Sequence, residues 1–233
     1  MSNEVISTRV RLARNLKDYP FPCRLSEQGR KKVIEKVTSA IRDSNSSIAS
    51  DFNLIKLDDL TEAQGVSLVE RHLVSPEFIS ETEGRALLLS KDESMSIMIN
   101  EEDHIRLQVI TDGLSLEQAY DTADKLDTLL DENLEFAFDD KLGYLTQCPT
   151  NLGTGMRASV MLHLPVTESN GEIAAVSDTV GKIGFTVRGM YGEGSKSAAA
   201  MYQVSNQITL GISEKNAVDN LKIITGQLIA KER

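Results

Sequence analysis

The sequence predicts an α+β fold, a mostly antiparallel β-sheet with helices packed on one side. Strand-like runs occur in clusters along the chain, whereas a parallel sheet would alternate them strictly with helices. The helical segments each carry an apolar stripe suited to packing on a sheet. The chain has 233 residues, enough to bury a sizeable core without disulfide or metal staples. We expect residues 1–233 to form one domain, since no second one is recognisable.

Four long segments and one shorter one have helical periodicity. The predicted helices are residues 26–42, 61–72, 115–134 and 213–231, with a shorter one at about 171–180. Two of them begin with the spacing of a capping box, in which a hydroxyl and an amide side chain cap the helix reciprocally. These pairs are Thr61 with Gln64 and Ser115 with Gln118.

Alternating or apolar runs predict the strands. The predicted strands are residues 7–12, 85–90, 95–100, 104–110, 157–165, 183–188 and 203–210. Residues 91–94 separate two of these runs and predict a hairpin. Glycine-rich stretches at 153–155 and 189–194 predict mobile loops, and loops often carry function.

Composition excludes several classes of function. With 25 basic and 35 acidic residues the formal charge is −10, which argues against nucleic acid or an anionic membrane as partner. Cys23 and Cys148 are the two cysteines, so neither a disulfide framework nor a zinc-ligand spacing is present. The N-terminus has no secretory apolar stretch, and no apolar run is long enough to span a membrane. We expect a cytoplasmic protein.

Arginines recur on one side of the predicted strands. Because side chains alternate between faces, Arg9, Arg11, Arg106, Arg157 and Arg188 all lie opposite the apolar face of their strands. If the strands share a sheet, these five charges gather on one surface. Such a cluster is unfavourable unless an anion lies there, and guanidinium groups bind phosphate oxygens bidentately.

Each arginine taken alone could simply pair with one of the acidic residues on a wet strand face. The set of five favours an anion pocket. Known phosphate-binding loops do not explain it, because Lys196 comes one position too late for a P-loop in residues 189–197. Neither a dinucleotide-binding glycine motif nor the motif pair of protein Ser/Thr/Tyr kinases occurs.

Four motifs resemble those of one family and occur in its order. They read STRVR at 7–11, NEEDHIRLQ at 100–108, CPTNLGTG at 148–155 and RGMYGEG at 188–194. The chain thus resembles the ATP:guanidino phosphotransferases, the family of creatine and arginine kinases. The resemblance implies a guanidino kinase (glutamine-synthetase-like) catalytic domain. Residues 157–165 and 203–211 are most similar to the bacterial branch that phosphorylates arginine in proteins.

The resemblance also bears on domain organisation. Small-molecule members carry a helical domain before the STRVR motif, and bacterial members continue into a C-terminal regulatory domain that binds phosphoarginine through an R-D-x-x-R-A motif. We expect both domains to be absent, because the first motif begins at Ser7 and residues 42–47 do not match the last motif.

The resemblance implies that ATP is bound with Mg²⁺, which would bridge phosphate oxygens, keep several waters and need few dedicated protein ligands. The five arginines would clamp the phosphates, since phosphoryl transfer depends mainly on positioning and charge neutralisation. The other residues expected around the nucleotide are Ser7, Thr8, Val10, His72, Ala158, Ser159, Val160, Met161, Gly189, Met190, Tyr191, Gly192 and Glu193.

For the guanidinium acceptor the resemblance points to two carboxylates and a thiol. Glu102 would orient the acceptor and accept its proton, because a protonated guanidinium is a poor nucleophile. Glu193 would be the second carboxylate, and Cys148, as a thiolate, would contact another guanidinium nitrogen. Glu101 and Asp103 remain structural candidates. Ordinary alternatives are a buried apolar cysteine and a solvated acidic turn.

The expected function is ATP-dependent phosphorylation of arginine side chains in proteins. Family relatives imply marking for a Clp-type protease, regulation of a stress repressor, and an activator protein. Two alternatives stay open: a kinase for free arginine or a related metabolite, and a non-catalytic adaptor that binds nucleotide or phosphoarginine.

Overall fold

The computed structural model describes residues 4–44, 46–189 and 199–233. Its strands are β1 (Val5–Arg14), β2 (Phe52–Lys56), β3 (Ala86–Ser90), β4 (Met95–Ile99), β5 (Ile105–Asp112), β6 (Phe138–Asp139), β7 (Gly143–Tyr144), β8 (Met156–His163), β9 (Phe185–Gly189) and β10 (Met201–Asn206). Its helices are α1 (Glu27–Arg42), α2 (Glu62–Glu70), α3 (Pro76–Ser80), α4 (Leu116–Asp131), α5 (Pro165–Ser169), α6 (Ile173–Gly181) and α7 (Glu214–Glu232).

Within these described ranges, eight strands form one antiparallel sheet in the order β2-β3-β4-β5-β1-β8-β10-β9. β3 and β4 pair across residues 91–94, which confirms the predicted hairpin. β1 lies in the middle, hydrogen-bonded to β5 on one side and β8 on the other. β6 and β7 form a small separate hairpin. The predicted antiparallel α+β fold is confirmed.

The main core lies between one face of the sheet and the helices α1, α4, α6 and α7. Val10, Leu107, Val160 and Val204 contribute to it from four different strands. In each strand these residues alternate with side chains on the opposite face. The apolar faces predicted for β1, β5 and β8 are therefore the buried ones.

A second, smaller core covers the opposite face at the β3–β4 end of the sheet. There α2 and α3 bury Leu68 and Phe78 against Leu87 and Met98. The sequence analysis expected helices on one side only, so this layer is a correction. A five-residue helix such as α3 is too short to show a periodic pattern. Its start is set instead by Ser75, whose hydroxyl accepts from the Phe78 amide.

The two predicted capping boxes have different outcomes. Thr61 and Gln64 form the box at the start of α2, as predicted. The box predicted for Ser115 and Gln118 is wrong. Ser115 donates its hydroxyl to the Asp112 carbonyl, and its amide donates to Thr8 Oγ1 at 3.1 Å. A strand residue distant in sequence therefore anchors the start of α4.

Three strand boundaries also differ from the expectation. Ile183 is not on a core face but 57% exposed, because the turn at Gly184 (φ +83°) precedes β9. Pro165 begins α5 and does not end β8. β10 ends at Asn206, whose side-chain amide donates to the carbonyls of Met156 and Ile208. The edge strand β2 was missed because its residues are only partly buried.

Candidate active site

Strand register brings the arginines together. Arg11 lies directly opposite Arg157 across β1 and β8, and Arg9 lies opposite Ser159. Arg106 is opposite Ala13 on the other side of β1, and Arg188 is opposite Gln203 in the β9–β10 pair. Direct cross-strand partners share a face, so all five arginines lie on the face opposite the main core.

Burial and mutual repulsion lower the pKa of three arginines of the cluster, Arg9, Arg11 and Arg157. Burial lowers the pKa of Arg9 to about 10, with further contributions from Arg106 and Arg157. Burial, followed by the neighbouring arginines, also holds the pKa of Arg11 well below its usual value. The Nε atoms of Arg11 and Arg157 are buried with no hydrogen-bond partner among the residues that the structure describes. Two buried guanidinium donors on neighbouring strands, β1 and β8, therefore lack an acceptor among the described residues.

Beside Arg9 the same face forms a small pocket of about 130 Å³. Its lining residues are Ser7, Arg9, Arg71, His72, Ile110, Ser159, Met161 and Gln203. Arg9 is oriented by a hydrogen bond from its Nη2 to Gln203 Oε1 at 3.0 Å. Burial, and then the charge of Arg9, lowers the pKa of His72, which favours the neutral ring. The pocket beside the arginine cluster is thus lined by both polar and apolar side chains.

Four of the residues predicted around the nucleotide have side chains on the sheet face opposite the five arginines. Thr8, Val10, Ala158 and Val160 are fully buried in the layer between the sheet and the helices. Thr8 donates its hydroxyl to the Gly113 carbonyl at 2.7 Å, which fixes the entry to α4. Their alternation with the arginines explains this placement, and their side chains do not line the arginine surface.

The carboxylate run lies in the turn between β4 and β5, beside the arginine cluster. Glu101 is buried and accepts from Arg106 Nη1 at 2.5 Å and from Ser75 Oγ at 2.7 Å. Burial by itself would raise the pKa of Glu101, but Arg106 and Ser75 outweigh it and lower the pKa. Glu101 therefore holds Arg106 in place.

Glu102 differs from its neighbour because it is half-buried and forms no ion pair within the part of the chain that the structure describes. Burial raises the pKa of Glu102, and the adjacent Asp103 raises it further, while Arg106 opposes both. The Cys148 side chain lies close enough to Glu102 to lower the pKa of that carboxyl, the smallest of these effects. The structure thus brings together the carboxylate and the thiol that the sequence predicted as acceptor residues.

The turn that carries Cys148 is held from below. Cys148 Sγ lies 3.0 Å from Thr150 Oγ1, within the one-turn 3₁₀ helix Pro149–Asn151. Thr209 donates its hydroxyl to the carbonyls of Thr150 and Leu152. Gly153 has φ +109°, and a Cβ there would lie 2.3 Å from the Thr209 carbonyl, so only glycine fits. This glycine stretch is a tightly packed support.

Four predicted residues, Met190, Tyr191, Gly192 and Glu193, lie outside the described residues. Gly189 ends β9 and pairs with Tyr202. Arg71, Gln203 and Ile110 line the site but were not predicted. Strand alternation alone could have placed Gln203 and Ile110 on this face, whereas Arg71 follows α2 and gave no local signal.

Across the described ranges, no group of three or more His, Cys, Asp or Glu side chains could hold a metal ion. In the same ranges, no helix combines the length and apolarity that crossing a membrane requires.

One face of the sheet carries five arginines, and Glu102 and Cys148 lie beside it. Such an arrangement suits a polyphosphate next to a cationic acceptor. The model of the ATP:guanido phosphotransferase C-terminal catalytic domain matches residues 32–233. The chain belongs to this family, whose members transfer phosphate between ATP and a guanidino group.

Curated relatives extend the match to the N-terminal strand. The protein-arginine kinase of Caldanaerobacter subterraneus subsp. tengcongensis is 47% identical over 98% of this chain and 68% of its own length. The protein-arginine kinase of Clostridium acetobutylicum is 47% identical over 98% of this chain and 67% of its own length. This chain therefore spans about two thirds of those relatives.

Solved structures confirm the fold. A duplicated taurocyamine kinase from Schistosoma mansoni, with bound transition-state analogue components, superimposes with a TM-score of 0.87 at 30% identity. The match covers 99% of this chain and 33% of that one. Lombricine kinase superimposes with a TM-score of 0.86 at 24% identity, over all of this chain and 67% of that one. The eight-stranded sheet is thus the fold of guanidino kinases.

Proposed function

We propose that this chain is a protein-arginine kinase, which transfers the γ-phosphoryl group of ATP to arginine side chains of proteins. The observation that carries the proposal is the gathering of five arginines on one sheet face, with Glu102 and Cys148 close together beside it. Naming of the curated relatives supports a protein acceptor. Residues 1–233 would act as one catalytic domain.

On the donor side, the nucleotide phosphates lie along β1 and β8. Arg11 and Arg157 offer their unpartnered Nε atoms to phosphate oxygens, and Arg106 is pre-oriented by Glu101. Fixed guanidinium groups stabilise the charge that develops on the transferred phosphoryl without reorganising during the reaction. The pocket lined by Ser7, His72 and Met161 receives the nucleoside end.

Mg²⁺ enters with ATP as part of the substrate. Bound to the phosphates, it would neutralise part of their charge and would need few protein ligands. Ser159 and Gly189 lie on strands that border the arginine surface. We keep Met190, Tyr191, Gly192 and Glu193 as proposed nucleotide residues.

On the acceptor side, Glu102 accepts a proton from the guanidinium as its nitrogen attacks phosphorus. A nitrogen–phosphorus bond forms, the bond between phosphorus and the ADP oxygen breaks, and the proton passes to the carboxylate. Burial suits Glu102 to this work, since it raises the pKa of the carboxyl. Cys148 contacts a second guanidinium nitrogen, and Glu193 serves as the second carboxylate.

We further propose that the protein acts in the cytoplasm, where free cysteines such as Cys23 and Cys148 stay reduced. Roles in Clp-type degradation, in control of a stress repressor and with an activator protein follow from the family resemblance alone. They rank below the phosphotransfer proposal.

The test is to incubate the chain with Mg-ATP and either an arginine-rich unfolded protein or free arginine. We expect acid-labile phosphate on arginine side chains of the protein, detected by intact mass and lost in acid. Glu102→Gln and Cys148→Ala should abolish transfer and keep nucleotide binding. Cys23→Ser is the matched control, because Cys23 is the other free thiol and is exposed.

Other outcomes would replace the proposal. Phosphate on free arginine alone would make the chain a small-molecule guanidino kinase. Bound ATP with phosphate on neither acceptor would favour the adaptor alternative. Full activity of both Glu102→Gln and Cys148→Ala would overturn the residue roles.

A further inference from the structure

Glu102 and Cys148 lie on different segments, and the structure joins those segments next to both residues. Asp103 directly follows Glu102, and Gln147 directly precedes Cys148. The Gln147 amide donates to Asp103 Oδ1 at 2.8 Å. One hydrogen bond thus joins the residue after Glu102 to the residue before Cys148.

Asn15, on a third segment, makes hydrogen bonds to both of these segments. Asn15 follows β1 and is 1% exposed. Its Nδ2 donates to Asp103 Oδ1 at 2.6 Å and to the Leu145 carbonyl at 3.0 Å. Its Oδ1 accepts from the His104 amide at 2.9 Å. Asn15 therefore holds Asp103, His104 and the segment that leads to Cys148.

Further hydrogen bonds fix the positions of Asn15 and His104. The Asn15 carbonyl accepts from the Ala137 amide at 2.7 Å, and Asp103 is 3% exposed. Buried hydrogen bonds to a carboxylate are strong because water does not compete for them. His104 is fixed as well, since its Nδ1 accepts from the Leu16 amide at 3.0 Å. Alternative positions of the carboxylate turn would leave buried polar groups unpartnered.

We propose that Asn15 and Asp103 are positioning residues that set the distance between Glu102 and Cys148 and thereby align the guanidinium acceptor. The proposal rests on the roles of Glu102 and Cys148 given under the proposed function. A displacement of about 1 Å in such a pair costs on the order of 100-fold in rate. Asn15 acts from behind the site and does not itself touch the substrate.

Asn15→Ala and Asp103→Ala each remove the hydrogen bond between these two side chains. Asp103→Asn keeps an oxygen that can accept from Asn15 and from the Gln147 amide. The matched control is Glu232→Ala. Glu232 is 6% exposed and accepts three hydrogen bonds, from the Val166 amide and from the amide and hydroxyl of Thr167. Its loss removes as many buried hydrogen bonds as Asn15→Ala, but none that reaches the acceptor turn.

For Asn15→Ala and Asp103→Ala we expect kcat to fall about 100-fold while the affinity for ATP is unchanged. Asp103→Asn should recover most of kcat. Glu232→Ala should lower the unfolding temperature and keep wild-type kcat. Wild-type kcat in Asn15→Ala, or an equal loss in Glu232→Ala, would overturn the proposal. If Asn15→Ala does not fold, the two Asp103 variants decide, because rescue by asparagine requires the retained acceptor.

A second readout does not depend on turnover. In a Cys23→Ser background, the rate at which iodoacetamide alkylates Cys148 reports on its contact with Glu102. We expect Asn15→Ala to change this rate several-fold and Glu232→Ala to leave it unchanged. If the parent chain phosphorylates no arginine, the proposed function fails, and the alkylation rates still decide whether Asn15 positions the pair. Equal rates in all variants would overturn the inference.

Discussion

Glu102 is the residue whose surroundings separate it most clearly from its neighbours. Three consecutive carboxylates occupy one turn, yet Glu101 is held ionised by Arg106, and its pKa is lowered. Glu102 forms no ion pair with any residue that the structure describes, and burial together with Asp103 raises its pKa. Environment, not residue type, therefore gives these two carboxylates opposite pKa shifts, and the raised pKa suits Glu102 to the proposed role of proton acceptor.

This difference predicts a pH dependence. Glu102 accepts a proton only when it is ionised, so activity should be lost as the pH falls through its pKa, which lies above the usual value for glutamate. Asp103→Asn removes a negative neighbour and should move this acidic limb to lower pH. The measurement is kcat/KM for a protein acceptor against pH, with Glu232→Ala as control. An acidic limb that shifts upward in Asp103→Asn would contradict the assignment.

At the scale of single elements, β1 shows how one strand serves two purposes. Arg9 and Arg11 lie on the sheet face that carries the five arginines. Val10 and Leu12, which alternate with them, are buried in the main core. Because β1 is the central strand, its arginines gain like-charged neighbours from both sides. The strand is well packed on one face and electrostatically unfavourable on the other until an anion binds.

We therefore predict a trade between stability and affinity at Arg11. Arg11→Met removes a buried charge whose Nε has no described partner, so the ligand-free protein should be equally stable or more stable, by up to about 4 kcal/mol. Affinity for ATP should fall by roughly 10- to 150-fold, the loss of about 1.5–3 kcal/mol for a charged hydrogen bond.

Urea denaturation and calorimetric titration with ATP measure the two effects. Arg24→Met is the control, because Arg24 is an exposed arginine on a different segment. A large loss of stability in Arg11→Met together with unchanged ATP affinity would mean that Arg11 is structural.

At the scale of the whole molecule, Arg14 ties the helix layer to the sheet. It is 1% exposed, and its Nε and Nη2 donate to Asp127 of α4 at 3.1 and 2.8 Å. Its Nη1 donates to the Thr154 carbonyl, and its guanidinium carbon lies 3.5 Å from the centre of the Tyr144 ring. Glu214, at the start of α7, lies 3.5 Å from Arg14 Nη2. One cation thus joins β1, α4, α7 and the loop behind Cys148.

We predict that Arg14→Met destabilises the protein by about 3–5 kcal/mol, because Asp127 would remain buried without its cation. Burial already raises the pKa of Asp127 against the pull of Arg14. A carboxyl whose pKa is raised by folding binds its proton more tightly in the folded state, so stability falls as the pH rises through that pKa. The defect should therefore shrink as the pH is lowered.

Urea denaturation at several pH values, with Arg14→Met/Asp127→Leu as the matched double variant, measures this effect. The double variant should regain most of the lost stability and lose the pH dependence. A defect that grows toward low pH would contradict the explanation.

Sequence-based prediction succeeded in this protein where the structure depends on local interactions, and it failed where residues distant in sequence meet. Alternation correctly placed Arg106 and Leu107 on opposite faces of β5, because side-chain direction in a strand is a local property. Thr61 formed its predicted cap for the same reason. The cap predicted at Ser115 failed because Thr8, distant in sequence, took its place.

The site divides in the same way. Residue types, strand faces and the four ordered motifs were determined by the sequence alone, and they identified Glu102, Cys148 and the five arginines. Tertiary structure decided that Arg11 meets Arg157 across β1 and β8, and that Thr8 and Val10 lie in the core. It also decided the role of Asn15, which meets Asp103 across 88 residues of chain. Such contacts depend on strand order and on the exclusion of water, and local sequence encodes neither.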